Sequence, residues 1–249
     1  ANTIRALGDV YRMLAEYSQA KGRYQEALEI YREIKDRQGE ANCIKGMGDV
    51  HWMLDKYLQA RACYQEALAI YREIGDLLGE ADCIRRLGDM HRVLGENLQA
   101  RALYKEALAI FHKIGDRLGE ANCIRRLGDI HRLLGEYLQA RTRFEEALVI
   151  YRKINDRLHE ATCIRNLGDV HYRLCKYRQA QCRFEEALAI FREIRGRLGE
   201  ADCIRALGDV HQMQGKYLQA RTRYKEALDI YSQIGHRLGK ADCIRRLGE

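Results

Sequence analysis

Basic and acidic side chains return at fixed places along this chain. A cation stands at Arg5, Lys45, Arg85, Arg125, Arg165, Arg205 and Arg245, and a carboxylate four places on at Asp9, Asp49, Asp89, Asp129, Asp169 and Asp209. Guanidinium groups carry a planar fork of donors that matches a carboxylate. Such a ladder offers donors at regular intervals to an extended chain. The same spacing also makes each pair an i,i+4 helical salt bridge, worth about 0.3–0.5 kcal/mol and serving solubility. Both readings stand on the sequence.

Two neighbouring places vary where these do not. One reads Ala6, Gly46, Arg86, Arg126, Asn166, Ala206, and the other Arg12, Trp52, Arg92, Arg132, Tyr172, Gln212. Positive charge therefore gathers at Arg85, Arg86, Arg92, Arg125, Arg126 and Arg132, edged by Trp52 and Tyr172. Arginines beside aromatics have the make-up of a protein-binding hot spot. A uniform ladder cannot fix a ligand's register, so the variable places are expected to set specificity.

Two further columns invite chemistry. His51, His91, His131, His171 and His211 suggest a metal or a pH switch. Copies one helix-packing distance apart cannot share an ion bonded at about 2 Å, so packing with a satisfied ring nitrogen is the expected role. Cys43, Cys83, Cys123, Cys163, Cys203 and Cys243 recur every 40 residues. Stacked copies lie about 10 Å apart, beyond disulfide reach, and read as small reduced hydrophobes. No nucleophile–base–acid set, phosphate-cradling glycine loop or zinc spacing occurs. The sequence thus assigns no catalytic, cofactor-binding or metal-ligating residue and implies no cofactor and no enzyme.

The elements that position these columns follow from composition and period. The 249 residues are 47% hydrophobic and 32% charged and contain no proline, which suits a chain that is helical nearly throughout. Cutting every 40 residues gives six units, 1–40, 41–80, 81–120, 121–160, 161–200 and 201–240, and a partial unit 241–249, read as one repeat array over 1–249. At about 100° per residue, Ile4, Leu7, Tyr11 and Leu14 share one stripe, and Ala20, Tyr24, Ala27, Leu28, Tyr31 and Ile34 share another. Each unit is therefore a helix-turn-helix. The Ala15 place becomes Gly95, Gly135 and Gly215, suited to a left-handed cap. Asp76 and Asp116 are placed to cap the following helix, with Glu80 or Glu120 in its first turn. Gly8 and its copies each cost about 1 kcal/mol of helix propensity, which implies backbones in close approach. Asn97, where other units carry Tyr, and Gln214, where others carry Leu, mark weaker hairpins.

Leu7-Gly8-x2-Tyr11 followed by Ala20-x3-Tyr24-x2-Ala27 resembles the tetratricopeptide signature, over the entire chain. The resemblance implies an all-α fold, a right-handed α-solenoid of antiparallel helix-turn-helix repeats. It places the stripe of positions 2, 5, 9, 12 and 13 on a concave groove for a peptide or protein. Three places depart from the pattern. Ile4 stands where the family often has Trp, His51 and its copies replace Tyr11, and Arg32 stands in place of the helix-ending Pro. Without that Pro the second helix can run to about Ile34, giving a unit longer than the usual ~34 residues. Joints such as Ile74 to Ala81 resemble Pins-type polarity adaptors and arrays appended to signalling NTPases of the innate-immunity type. The family's carboxylate clamp wants Asn where Asp49 or Asp89 stands.

The expected function is a scaffold whose Arg-rich groove holds an extended acidic peptide of a partner. RNA binding is the weaker reading: the net charge of +7 leans that way, but each groove Arg has an Asp neighbour and stacking aromatics are few. A structural reading rests on the ends, where Ile244 and Leu247 have no second helix of their own, so that bare ends could pair between molecules as a homo-oligomer. No stretch approaches the roughly 18 apolar residues of a membrane span, and Ala1-Asn2-Thr3-Ile4 shows no secretion pattern, which points to the cytoplasm.

Overall fold

The computed structural model describes residues 1–248, and among them it contains thirteen α-helices and no strand. They form two compact units, Ala1–Cys123 and Ile124–Glu249. The first holds α1 (Asn2–Met13), α2 (Tyr17–Glu33), α3 (Arg37–Met53), α4 (Tyr57–Ile74), α5 (Leu77–Val93) and α6 (Asn97–Ile114), and the boundary falls within α7 (Arg117–Leu133). The second holds α8 (Tyr137–Lys153), α9 (Arg157–Arg173), α10 (Tyr177–Glu193), α11 (Arg197–Met213), α12 (Tyr217–Gln233) and α13 (Arg237–Leu247). Within each unit helices pack on their chain neighbours, and α1 also meets α3 as α9 meets α11. That is the stacking of helical hairpins in an α-solenoid.

The turns repeat one solution. In the first, the Glu16 N–H donates to the Tyr11 carbonyl at 2.9 Å, and Lys56 to His51 does the same at 2.9 Å. This closure requires a left-handed residue between them. Gly95, Gly135 and Gly215 supply it, but so do Ala15, Asp55 and Cys175, at φ of 59°, 56° and 57°. A residue with a Cβ is strained there by about 1 kcal/mol, so the repeat's packing outweighs the local preference. At the joints between hairpins, Asp36, Asp76, Asp116 and Asp156 each accept from a backbone N–H in the next helix's first turn. His236 takes that role through Nδ1 before α13, and Gly196 before α11 offers no side chain for it.

The recurrent glycine in the first helix of each hairpin faces a ring rather than another backbone. A Cβ on Gly48 would lie 2.8 Å from the Tyr64 ring, and one on Gly168 would lie 2.6 Å from the Phe184 ring. The close approach read from the sequence is thus an aromatic of the second helix lying on the first helix's backbone. Beneath it the core is small and regular: Ala60, Ala67, Ala81, Cys83 and Ile84 in one unit, and Ala140, Ala147, Ala161, Cys163 and Ile164 in the other, are all buried. The six periodic cysteines are buried, and burial pushes the Cys83 and Cys163 thiols up to about 12.

An outer seam ties hairpins together. Arg32 reaches Glu40 at 2.9 Å and Glu66 at 3.3 Å, and Arg152 likewise reaches Glu160 at 2.9 Å and Glu186 at 3.0 Å. The residue standing where the repeat pattern usually has proline thus links its own helix to two others.

Candidate functional site

In the first unit the basic and acidic columns form one network on the face of α1, α3 and α5. Arg5 pairs with Asp9 at 3.0 Å, whereas Lys45 pairs with Asp82 at 3.1 Å. Arg85 divides itself between Asp82 at 2.5 Å and Asp89 at 3.4 Å. Burial disfavours the Asp82 charge, but Arg85, Lys45 and Arg86 hold its carboxyl well below the usual carboxylate range. Arg12 lies 3.8 Å from both Asp9 and Asp49, and Arg86 lies 3.5 Å from Asp49. From behind, the Tyr24, Tyr64 and Tyr104 hydroxyls donate to Asp9, Asp49 and Asp89 at 2.7, 2.8 and 2.7 Å. Burial, with the Asp49 charge beside it, pushes the Tyr64 phenol far up.

Arg92 stands apart. It is partly exposed, makes no ion pair among the described residues, and has a buried Nε without a hydrogen-bond partner. Trp52, also half-buried, sets its ring edge-on to Tyr57 at 5.4 Å between centroids.

In the second unit the columns meet on α7, α9, α11 and α13. Asp129 collects Arg125 at 3.4 Å, Arg126 at 3.8 Å and Arg132 at 3.9 Å, and accepts from the Asn166 amide at 3.4 Å. Arg165 reaches across to Asp202 at 3.6 Å. Arg205 and Arg246 share Asp209, at 3.2 and 2.9 Å, and Asp242, at 3.5 and 3.3 Å. Asp209 also accepts from the Tyr224 hydroxyl at 2.8 Å. Arg245 pairs with Asp242 at the surface. Tyr172 lies edge-on to Tyr177 at 5.8 Å.

Asp169 breaks the pattern. Its carboxylate has no hydrogen bond and no ion pair among the described residues, and burial pushes its pKa up against the pull of Arg165, Arg132 and Arg205. It lines a cavity of about 380 Å3 with Arg132, Tyr172, Phe184, Arg205 and Asp209.

The histidines divide by the residue five places on. His91 and His131 meet Glu96 and Glu136 through Nδ1, each at 2.5 Å. His51, His171 and His211 are followed by Lys56, Lys176 and Lys216 instead, and their buried Nδ1 atoms have no partner. Burial first, then nearby cations, holds these three below the ordinary imidazole pKa. Among the described residues no three His, Cys, Asp or Glu side chains converge as metal ligands, and no helix is long and apolar enough to cross a membrane.

The structure therefore brings the sequence-predicted cations and carboxylates together, but largely onto one another: Asp49, Asp89, Arg125, Asp129 and Asn166 are buried. Asp82, Asp202, Asp242 and Arg246 belong to the same networks and were not singled out from the sequence. Nor was the alternation Tyr24, Tyr64, Tyr104, Phe144, Phe184, Tyr224. That column was visible, but its meaning depends on which carboxylate the hydroxyl reaches.

A family model described as tetratricopeptide repeat matches residues 1–73, 80–153 and 120–193, and a second of the same description matches 201–234. Among curated proteins none matches this chain. Among solved structures, BtubC (BKLC) from P. vanneervenii superimposes with a TM-score of 0.75 at 20% identity, over 88% of this chain and 92% of that one. A STAND protein with a tetratricopeptide repeat sensor, PH0952 from Pyrococcus horikoshii, gives 0.81 at 18% identity, over 99% of this chain and 39% of its own. The Rap conjugation gene regulator of plasmid pLS20, in complex with the Phr* peptide, gives 0.68 at 19% identity, over 84% and 57%.

Proposed function

The chain belongs to the tetratricopeptide repeat family, a family of protein-interaction scaffolds, and on that premise we propose that it holds an extended acidic segment of a partner protein on its Arg-bearing helix face. The observation that carries this reading is Arg92, a partly exposed guanidinium that makes no ion pair among the described residues. Arg132, at the same place in the next repeat, comes no nearer than 3.9 Å to Asp129. A guanidinium without an ion pair suits a carboxylate of an incoming chain. A pLS20 Rap regulator of similar fold holds a peptide, which supports a peptide as the kind of guest.

The position-5 arginines serve this reading less directly, because Arg85 and Arg125 are committed to carboxylates of the chain itself. The test is fluorescence anisotropy with labelled acidic and basic peptides on the parent and on an Arg92→Ala/Arg132→Ala variant. Acidic peptides are expected to bind, to weaken with salt, and to lose about tenfold in affinity in the variant. Binding that is unchanged in the variant, or confined to basic peptides, overturns the proposal.

A further inference from the structure

Two of the donors to the position-9 carboxylates come from other helices at recurrent places. One is the hydroxyl at position 24 of its own hairpin, present in Tyr24, Tyr64 and Tyr224, which donates to Asp9, Asp49 and Asp209 at 2.7–2.8 Å. The other is the position-6 side chain of the following repeat: Arg86 beside Asp49 at 3.5 Å, Asn166 beside Asp129 at 3.4 Å, Arg246 beside Asp209 at 2.9 Å. Asp129 has lost the first donor, since Phe144 stands there, and keeps the second. Asp169 has neither, because the corresponding residues are Phe184 and Ala206. Both of these side chains line the same cavity of about 380 Å3.

We infer that this cavity beside Asp169 takes the hydroxyl-bearing ring of a tyrosine-type side chain, its hydroxyl donating to Asp169 where the chain's own tyrosine does so in other repeats. The dimensions fit, as a cavity of this volume bounded by Phe184 and Tyr172 accommodates an aromatic ring. The charges select the donor. Arg132, Arg205 and Arg246 line the cavity, so a ligand ammonium is repelled whereas a neutral hydroxyl is not. They also favour a carboxylate adjoining that ring. Asp169 is half-buried, and the desolvation that disfavours its charge strengthens the demand for a donor. That the ring belongs to a bound peptide rests on the function proposed above; that the cavity recognises a phenol does not.

The experiment is calorimetric titration of the full chain with 4-hydroxyphenylacetate and with phenylacetate. The hydroxylated probe is expected to bind about tenfold more tightly. Phe184→Tyr, which installs the residue other repeats already carry, and Ala206→Asn, which copies Asn166, are each expected to erase that preference. Equal binding of the two probes, binding of neither, or a preference that survives both variants overturns the inference. A matched pair of acidic peptides, one with Tyr and one with Phe, separates the two proposals. If acidic peptides bind and neither peptides nor probes discriminate, the cavity assignment fails and the groove stands. If the probes discriminate and no acidic peptide binds, the groove fails and the cavity stands.

Discussion

Asp49 and Asp169 occupy the same place in two repeats, one in each compact unit, and their surroundings are opposite. Asp49 accepts from Tyr64 at 2.8 Å and has Arg86 at 3.5 Å and Arg12 at 3.8 Å. Asp169 looks onto Phe184 and Ala206, with cations beyond ion-pair reach. Two substitutions at separate columns, each unremarkable alone, convert a carboxylate that fastens helices together into one available to something else. In a repeat protein a site can therefore arise by deleting internal partners as well as by adding new side chains.

The contrast can be broken first at Asp49. Asp49→Ala leaves the buried Tyr64 hydroxyl without its acceptor and takes one carboxylate away from Arg12 and Arg86, and is expected to cost about 3 kcal/mol in denaturant unfolding. Asp169→Asn should act in the other direction. It removes a charge that burial disfavours, with no bond broken, and is expected to stabilise by about 1 kcal/mol by the same measurement. Equal destabilisation by both would erase the distinction. A third comparison uses Gln214, whose buried side-chain oxygen has no partner, as does that of Asn97. Gln214→Leu, restoring the residue of the other repeats, should raise stability by about 1 kcal/mol. The smallest effect is expected at Arg195, held at φ 56° where Gly75 and Gly115 stand elsewhere. Arg195→Gly relieves that strain and should add about 0.5–1 kcal/mol.

The histidines give the same contrast a pH axis. His51, His171 and His211 have folded pKa values below the ordinary imidazole value. The unfolded chain then takes up protons first, so the stability they contribute is present above about pH 6.5 and is lost as pH falls through it. Replacing all three by Tyr, as at Tyr11, should flatten the decline between about pH 7 and pH 5, followed by chemical denaturation.

The hairpins were legible in the sequence because their signals are local. The stripes through Ile44 and Leu87, the left-handed places at Gly95 and Gly135, and the capping Asp76 are all read from spacing along one helix or turn. What the columns do for one another was not, since it depends on side chains 15 or 37 positions apart, as between Tyr64 and Asp49 or Asn166 and Asp129. The i,i+4 pairing gave Arg5 to Asp9 but not Lys45 to Asp82, where the ammonium reaches the next repeat instead. Arg32 was noted only as a missing proline, whereas it anchors a seam to Glu40 and Glu66.

The buried cysteine column has a use unconnected with binding. Every repeat after the first carries a buried thiol at the same place, and burial holds those of Cys43, Cys83, Cys163, Cys203 and Cys243 above the ordinary range. A thiol reagent can reach such a group only when its own repeat opens, so the labelling rate of Cys83 against that of Cys203 reports the opening free energy of one repeat relative to another. Exposed Cys175 and Cys182 would label at once and set the zero of time. From the second repeat onward the chain thus carries a built-in set of clocks, from which the order in which those repeats unravel can be read.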